Sequence, residues 1–359
     1  MLATAIPLRA HGWRTRVVAP PAGPLAEELA RHGIEHLPFD VRDETGRRRA
    51  TGQVRESLRR ILARERPDVV HANSISMARL SGPVTVDLGL PSVAHLRDIG
   101  RLSAQAVQDI GRHDRLLAVS EAVRDDHISQ GLPADKVFVL HNGVDLDEFR
   151  PRAPTGWLHR ELGIDDCALL VGTVGQITLR KGHDLLAGAA VELASSWPQM
   201  HWVIVGRRFS TKDETVRFEE SVRQTLVTAG LSRRVHWLGE RADVARLLAE
   251  FTLVVHPARQ EPLSRVLLEA AAAGKAIVAT AVGGTPEIFP TDAEAARLVL
   301  PDDYKALAGA IGELAGNVAQ RARLGAAARR RAESAFAAQH CAERLARYYN
   351  DVTSRVALS

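Results

Sequence analysis

The chain has 359 residues, more than one ordinary core holds and enough for two domains of usual size. Apolar residues make up 45% and charged ones 25%, the profile of a globular protein; with aromatics at only 4%, the core has to be built from Ala, Leu and Val. The formal charge of +4 is interspersed rather than gathered into one basic stripe, so nucleic acid is not an expected partner.

No apolar run approaches the ~20 residues that span a bilayer, and the first residues lack the apolar segment of a signal peptide. The two cysteines, Cys167 and Cys341, are far apart and have no metal-ligand spacing. Both observations point to a cytoplasmic protein with no disulfide framework and no metal site. The nearest approach to a basic patch is Arg47-Arg48-Arg49 followed by Arg55, Arg59, Arg60, Arg64 and Arg66. Two readings stand: a solvated helix face, or a surface for anionic lipid or an anionic acceptor on the inner side of a membrane.

Short apolar runs alternate with longer helix-like stretches, which predicts parallel sheets covered by helices. The first element, Leu2–His11, reads as the end of a helix. Strands are expected at Arg16–Ala19, Asp68–His71, Ser92–His95, Leu116–Val119 and Val137–Leu140, with helices such as Leu25–His32 and Val54–Arg64. A doubly wound domain normally opens with a strand and a Gly-rich turn before its first helix. Here neither is visible, which leaves a central position of the sheet unfilled.

Pro151 and Pro154 mark Phe149–Gly156 as a linker, after which the pattern restarts. Strands are expected at Leu169–Thr173, His201–Val205, Val235–Leu238, Leu253–His256, Ala276–Thr280 and Arg297–Leu300. Helices are expected at Lys181–Ala194 and Pro262–Ala273, and the chain reads as helical from Leu307 onward. The result is an α/β protein of two doubly wound domains, with ligands at the carboxyl ends of the strands.

The segment Arg259-Gln260-Glu261-Pro262-Leu263-Ser264-Arg265-Val266-Leu267-Leu268-Glu269-Ala270 carries the strongest chemistry. It follows a strand, so a loop gives way to a helix. Glu261 and Glu269 stand eight positions apart, one in the loop and one in the helix, where both can face one crevice. Between them the helix start offers free N–H groups for a phosphate. Carboxylates suit sugar and ribose hydroxyls because they accept two hydrogen bonds at once. Taken alone, the segment reads equally as an amphipathic helix with surface glutamates.

The order of further segments decides between them. The two glutamates with seven residues between them are followed by Ala-Ala-Ala-Ala-Gly-Lys-Ala-Ile-Val-Ala-Thr and then Val282-Gly283-Gly284-Thr285-Pro286-Glu287. Ala118-Val119-Ser120, His141-Asn142-Gly143-Val144-Asp145, Lys181-Gly182, Val205-Gly206 and Leu238-Gly239-Glu240 precede them. This series resembles family 4 of the retaining glycosyltransferases from about residue 8 to the end. The resemblance implies the GT-B fold, two Rossmann-like domains facing a central cleft. The boundaries expected are 1–152 for the acceptor side, 153–335 for the nucleotide-sugar side, and a helix at 336–359 packing back on the first domain.

The resemblance also implies roles. Glu269 corresponds to the glutamate on the nucleotide ribose, and Glu261 to the one on hydroxyls of the transferred sugar. Lys181 corresponds to the lysine that neutralises the diphosphate, and His95 to the histidine near the reacting sugar carbon. Gln176, Arg180, Gly206, Leu263, Ser264, Arg265 and Val266 complete the expected donor site. The implied partners are a nucleoside-diphosphate sugar and a carbohydrate or lipid-linked acceptor, in cell-surface polysaccharide or glycolipid synthesis. No cofactor is implied, since the nucleotide sugar is a substrate, and no metal is required.

Three positions depart from the pattern. The family has arginine where this chain has Gln176; Arg180 supplies that charge only if its arm folds back. Ser264 stands where glycine is common, and can cap the helix. The first strand is missing, which is expected to mean a start upstream of Met1. Gln176 and the missing strand motivate a second reading, a weakly active scaffold or partner subunit of another transferase. A third, an epimerase or phosphorylase on the same fold, fits the motifs less well.

Overall fold

A computed structural model describes residues 2–356, with side chains from 4 to 354. The chain divides into two compact units, residues 1–143 with 338–359, and residues 144–337. The sequence reading places its first boundary at 152 and its second at 335.

The first unit holds six strands: β1 (Arg16–Ala19), β2 (Glu35–Pro38), β3 (Val70–Ala72), β4 (Ser92–Leu96), β5 (Arg115–Ala118) and β6 (Val137–Val139). Five match expected strands to within two residues at either end. β2 was not expected, because Glu35-His36-Leu37-Pro38 has neither an apolar run nor a β-branched residue. Its position is fixed by pairing, with Val17 against His36 and Ala19 against Pro38. Leu2–His11 is not one helix but a short α-turn, Leu2–Ala5, followed by a 3₁₀ turn, Pro7–His11.

All pairings in this unit's two named sheets are parallel, and the strands fall into two sheets, β1-β2 and β3-β4-β5-β6. A doubly wound sheet of order 3-2-1-4-5-6 would place one strand between β1 and β3. That position is a cavity of about 430 Å³. Val17 and Val18 of β1, Val70 of β3, Leu58, Leu62 and Tyr349 are among the side chains that line it. On one face of the larger sheet, Val93, Leu117 and Leu140 pack against Leu345, Tyr349 and Val352 of the C-terminal helix Ala338–Val356. Gly143 permits the close approach of that helix: a Cβ there would lie 2.7 Å from the Ala338 backbone.

The arginines of the helix Thr51–Glu65 are engaged within this unit. Arg55 bonds Asp109 at 2.6 Å, Arg59 bonds Asp87 at 2.5 Å, and Arg60 bonds Glu56 at 3.0 Å. Arg16 and Arg64 both hold Glu65. No described helix is long and apolar enough to cross a membrane.

The second unit has β7 (Leu169–Val174), β8 (Met200–Val205), β9 (Val235–Gly239), β10 (Leu253–His256), β11 (Ile277–Thr280) and β12 (Arg297–Val299). They form one parallel sheet of order β12-β11-β10-β7-β8-β9, the complete doubly wound pattern. The strand order reverses between β7 and β10, so ligands are expected outside the carboxyl ends of those two strands. The low aromatic content is met by small side chains, as in Ala270, Ala271 and Ala272, each at most 1% exposed.

Candidate active site

Every residue expected to bind the donor lies in the second unit, on segments after β7, β8 and β10. Beyond β7 the chain makes a 3₁₀ turn, Leu179–Lys181, then reverses at Gly182 (φ 68°) into the helix His183–Leu193. Lys181 is therefore not on the helix, as the sequence suggested. The left-handed Gly182 stops the turn and leaves the lysine on a loop, and a Cβ at Gly182 would lie 1.8 Å from the Pro257 carbonyl.

That loop is tied to the one after β10. Arg259 donates two parallel bonds of 2.7 Å to the Asp184 carboxylate and a third of 2.6 Å to Asp302. Its backbone N–H bonds the Arg180 carbonyl at 2.8 Å. Arg180 in turn sends its guanidinium to the Gln260 carbonyl at 3.0 Å. Its arm is thus committed beside Glu261. Gln176 is half-buried next to the fully packed Ile177.

Glu261 is buried, 5% exposed, and its Oε2 has two donors. Lys181 Nζ approaches it at 2.5 Å and His256 Nε2 at 2.8 Å. Burial pushes this carboxyl up, but His256 and Lys181 together more than offset that and hold it at about 2. Glu261 is therefore ionised at neutral pH and accepts from both. Burial pulls Lys181 below its ordinary value, against the attraction of Glu261, and pulls His256 down as well. The one carboxylate favours the charged form of both groups.

The backbone of Glu261 is gripped from behind by the Val282-Gly283-Gly284 turn. Gly284 N–H bonds the Glu261 carbonyl at 3.0 Å. Gly283 has φ 52°, and a Cβ there would lie 1.9 Å from that same carbonyl. Gly206, at the end of β8, has φ 131°, and a Cβ there would lie 2.0 Å from the Gly175 carbonyl.

The helix expected from Pro262 begins three residues later and spans Arg265–Ala272. Ser264 sets that start: its Oγ accepts from the Leu267 N–H at 3.3 Å. The N–H groups of Arg265 and Val266 remain without intrahelical acceptors, in the position where an anion is favoured. Leu263 is buried and Arg265 exposed. Glu269 sits one turn into the helix, 9% exposed, with Arg265 3.4 Å away. Burial raises its carboxyl to about 7, helped by Glu148 and opposed by Arg265.

His95 belongs to the first unit, on β4, 3% exposed. Its Nδ1 accepts from Arg97 at 3.2 Å, and Arg97 also donates to Asn73 at 3.2 Å and Asn142 at 2.9 Å. Burial, with Arg97 and His71 nearby, holds the imidazole well below its ordinary value, so it is neutral.

Sequence reasoning did not assign His256, Arg259 or Gly283 a role. His256 ends a strand five residues before Glu261, and that proximity was the available signal. The pairing of Arg259 with Asp184 spans 75 positions and has none.

Two parallel α/β units, the second a complete doubly wound sheet, have the architecture of the GT-B class of glycosyltransferases. Residues 2–148 match the model of Glycosyltransferase Family 4, and residues 168–317 that of Glycosyl transferases group 1. The chain belongs to family 4 of the GT-B glycosyltransferases. It is similar to alpha-maltose-1-phosphate synthase of Mycolicibacterium smegmatis, 32% identical over 67% of this chain and 64% of that protein. It is also similar to the lipopolysaccharide core biosynthesis mannosyltransferase LpcC of Rhizobium leguminosarum bv. viciae, 32% identical over 60% of this chain and 59% of that one. The chain thus spans less than two thirds of the length of these curated relatives. Among solved structures, Anabaena Alr3699/HepE in complex with UDP-glucose shares the fold with TM-score 0.84 and 22% identity, over 97% of this chain and 95% of that one.

Proposed function

We propose that the protein is a retaining glycosyltransferase that moves a sugar from a nucleoside-diphosphate sugar to an acceptor hydroxyl. The observation that carries this reading is the Lys181–Glu261 pair beside the capped start of the helix Arg265–Ala272, with Glu269 one turn further in. A diphosphate seated on the N–H groups of Arg265 and Val266 would draw the Lys181 ammonium toward it. Glu269 then accepts from ribose hydroxyls and Glu261 from hydroxyls of the sugar.

In the reaction the bond between the anomeric carbon and the diphosphate oxygen breaks, and a bond from that carbon to the acceptor oxygen forms. The acceptor proton passes to the leaving phosphate. Charge growing on the diphosphate is met by Lys181 and the helix start, which supply the stabilisation without a metal or cofactor. His95, neutral in the first unit, is assigned to the reacting sugar. Gln176 contributes polarity but no charge, and Arg180 beside Gln260 is the nearer cation.

The acceptor is assigned to cell-envelope polysaccharide or glycolipid synthesis on the cytoplasmic side. Support comes from relatives such as the lipopolysaccharide core mannosyltransferases and a phosphatidylinositol N-acetylglucosaminyltransferase subunit. Contact with a membrane through the Thr51–Glu65 helix would compete with the acidic partners that Arg55, Arg59 and Arg60 already have.

The test is thermal unfolding against UDP, GDP and their sugars, with Glu269→Ala as control. A ligand at about one hundred times its Kd adds roughly 2.7 kcal/mol, a shift of several degrees. A shift with one base, lost in the mutant, followed by release of that nucleoside diphosphate with an acceptor extract, supports the reading. The uncharged Gln176, at a position where the family has arginine, is what favours the alternative of a weakly active partner subunit. That alternative predicts no nucleotide release and co-purification with another transferase.

A further inference from the structure

Lys181 faces two demands. In the structure it is bonded to Glu261, yet the proposed reaction calls it to the diphosphate. A carboxylate 5% exposed that lost its only donor would be costly to keep in place. It has a second donor. His256, at the end of β10 and 2% exposed, reaches the same Oε2 at 2.8 Å. Both bonds fall on Oε2, and Oε1 accepts none among the described residues.

His256 is also better placed to stay than Lys181. Its backbone is in the parallel sheet, paired with Ala279 of β11, and its ring has two rotatable bonds, whereas the lysine arm has four. An ionised carboxylate is an acceptor only, so the bond requires the tautomer with the proton on Nε2. The Glu261 main chain is already fixed by Gly284, so the side-chain rotamer is the remaining freedom.

We propose that His256 is a positioning residue: its Nε2–H pins Oε2 of Glu261 whether or not Lys181 is engaged, so that Oε1 is presented to the hydroxyls of the transferred sugar. This rests on the transferase reading above. It separates two tasks in one cluster: Lys181 serves the diphosphate, and His256 holds the group that reads the sugar.

The experiment compares wild type, His256→Ala and His256→Gln, whose amide N–H can reach the place of Nε2. Calorimetry measures affinity for UDP and UDP-glucose, and for GDP and GDP-mannose. Turnover is followed by nucleotide release, and melting curves check the fold. His256→Ala is expected to keep its affinity for the nucleoside diphosphate within about threefold. It should lose about tenfold or more in kcat or in affinity for the nucleotide sugar, the size of a lost hydrogen bond to a charged group. His256→Gln is expected to recover most of that loss. A merely structural histidine would weaken diphosphate and sugar nucleotide alike. Equal losses, no loss at all, or no recovery in a folded His256→Gln would overturn the role while leaving the transferase reading intact. Wild type binding none of the four ligands would instead refute the transferase reading, and this role with it.

Discussion

Glu269 carries an unfavourable burden that can be measured without any substrate. Burial raises its carboxyl from an ordinary 4.5 to about 7. The unfolded chain releases this proton near 4.5, and the folded chain holds it until about 7. Between those values folding retains a proton that the unfolded state gives up, so stability falls as pH rises through that window. At about 1.4 kcal/mol per pH unit, forcing the charge into the folded state above pH 7 costs on the order of 3 kcal/mol. Glu269→Gln keeps the shape and removes the charge. It is expected to raise the stability of the second unit by that order at pH 8, about 5–10 °C in Tm. The gain should shrink toward zero as pH falls to about 4.5. Thermal unfolding of both proteins from pH 4.5 to 8 is the assay. The same mutant should lose nucleotide binding, because an uncharged amide is a poorer acceptor for ribose hydroxyls. A mutant less stable than wild type at pH 8, or a difference that does not change with pH, would refute the reasoning. A site residue that lowers stability for the sake of binding is a familiar trade.

Gly283→Ala has to move the Glu261 carbonyl or strain a φ of 52°. Denaturation should show a loss of about 2 kcal/mol or more, with nucleotide-sugar affinity falling too. Ser264→Ala removes the cap on Leu267 N–H and should cost about 1 kcal/mol in the same assay, whereas Ser264→Gly should cost only a few tenths. Lys181→Ala should abolish the thermal shift given by nucleotide sugars. Native-state hydrogen exchange should find Val17–Ala19 and Val70–Ala72 opening more readily than Val93–Leu96, because β4 alone of the three is paired on both sides.

The sheets were the most legible part of the sequence. Runs such as Leu169–Thr173 and Leu253–His256 are apolar up to their last residue because parallel strands are buried on both faces. β2 escaped notice because its residues are half-exposed, and only pairing with β1 makes it a strand. Glu261 and Glu269 were legible as a pair through their spacing, and Ser264 as a cap through its chemistry. What surrounds them was not. That Lys181 sits off its helix depends on a left-handed Gly182 wedged against Pro257. The support of the Glu261 backbone by Gly283 and Gly284 comes from a turn distant in sequence, which no local pattern encodes.

The gap in the first unit's sheet bears on how the protein behaves at high concentration. An unpaired strand edge is a template for a strand of another molecule, and here β1 and β3 each present one toward the same cavity. Wherever those two edges stay uncovered, self-association by strand exchange is the hazard. Charged residues stand guard at the amino ends of both edges, Arg14 before β1 and Arg16 at its start, and Glu65, Arg66 and Asp68 before β3. They act as gatekeepers of the kind that flank aggregation-prone strands in general. Neutralising them is expected to increase self-association, read by light scattering, with the second unit still folded.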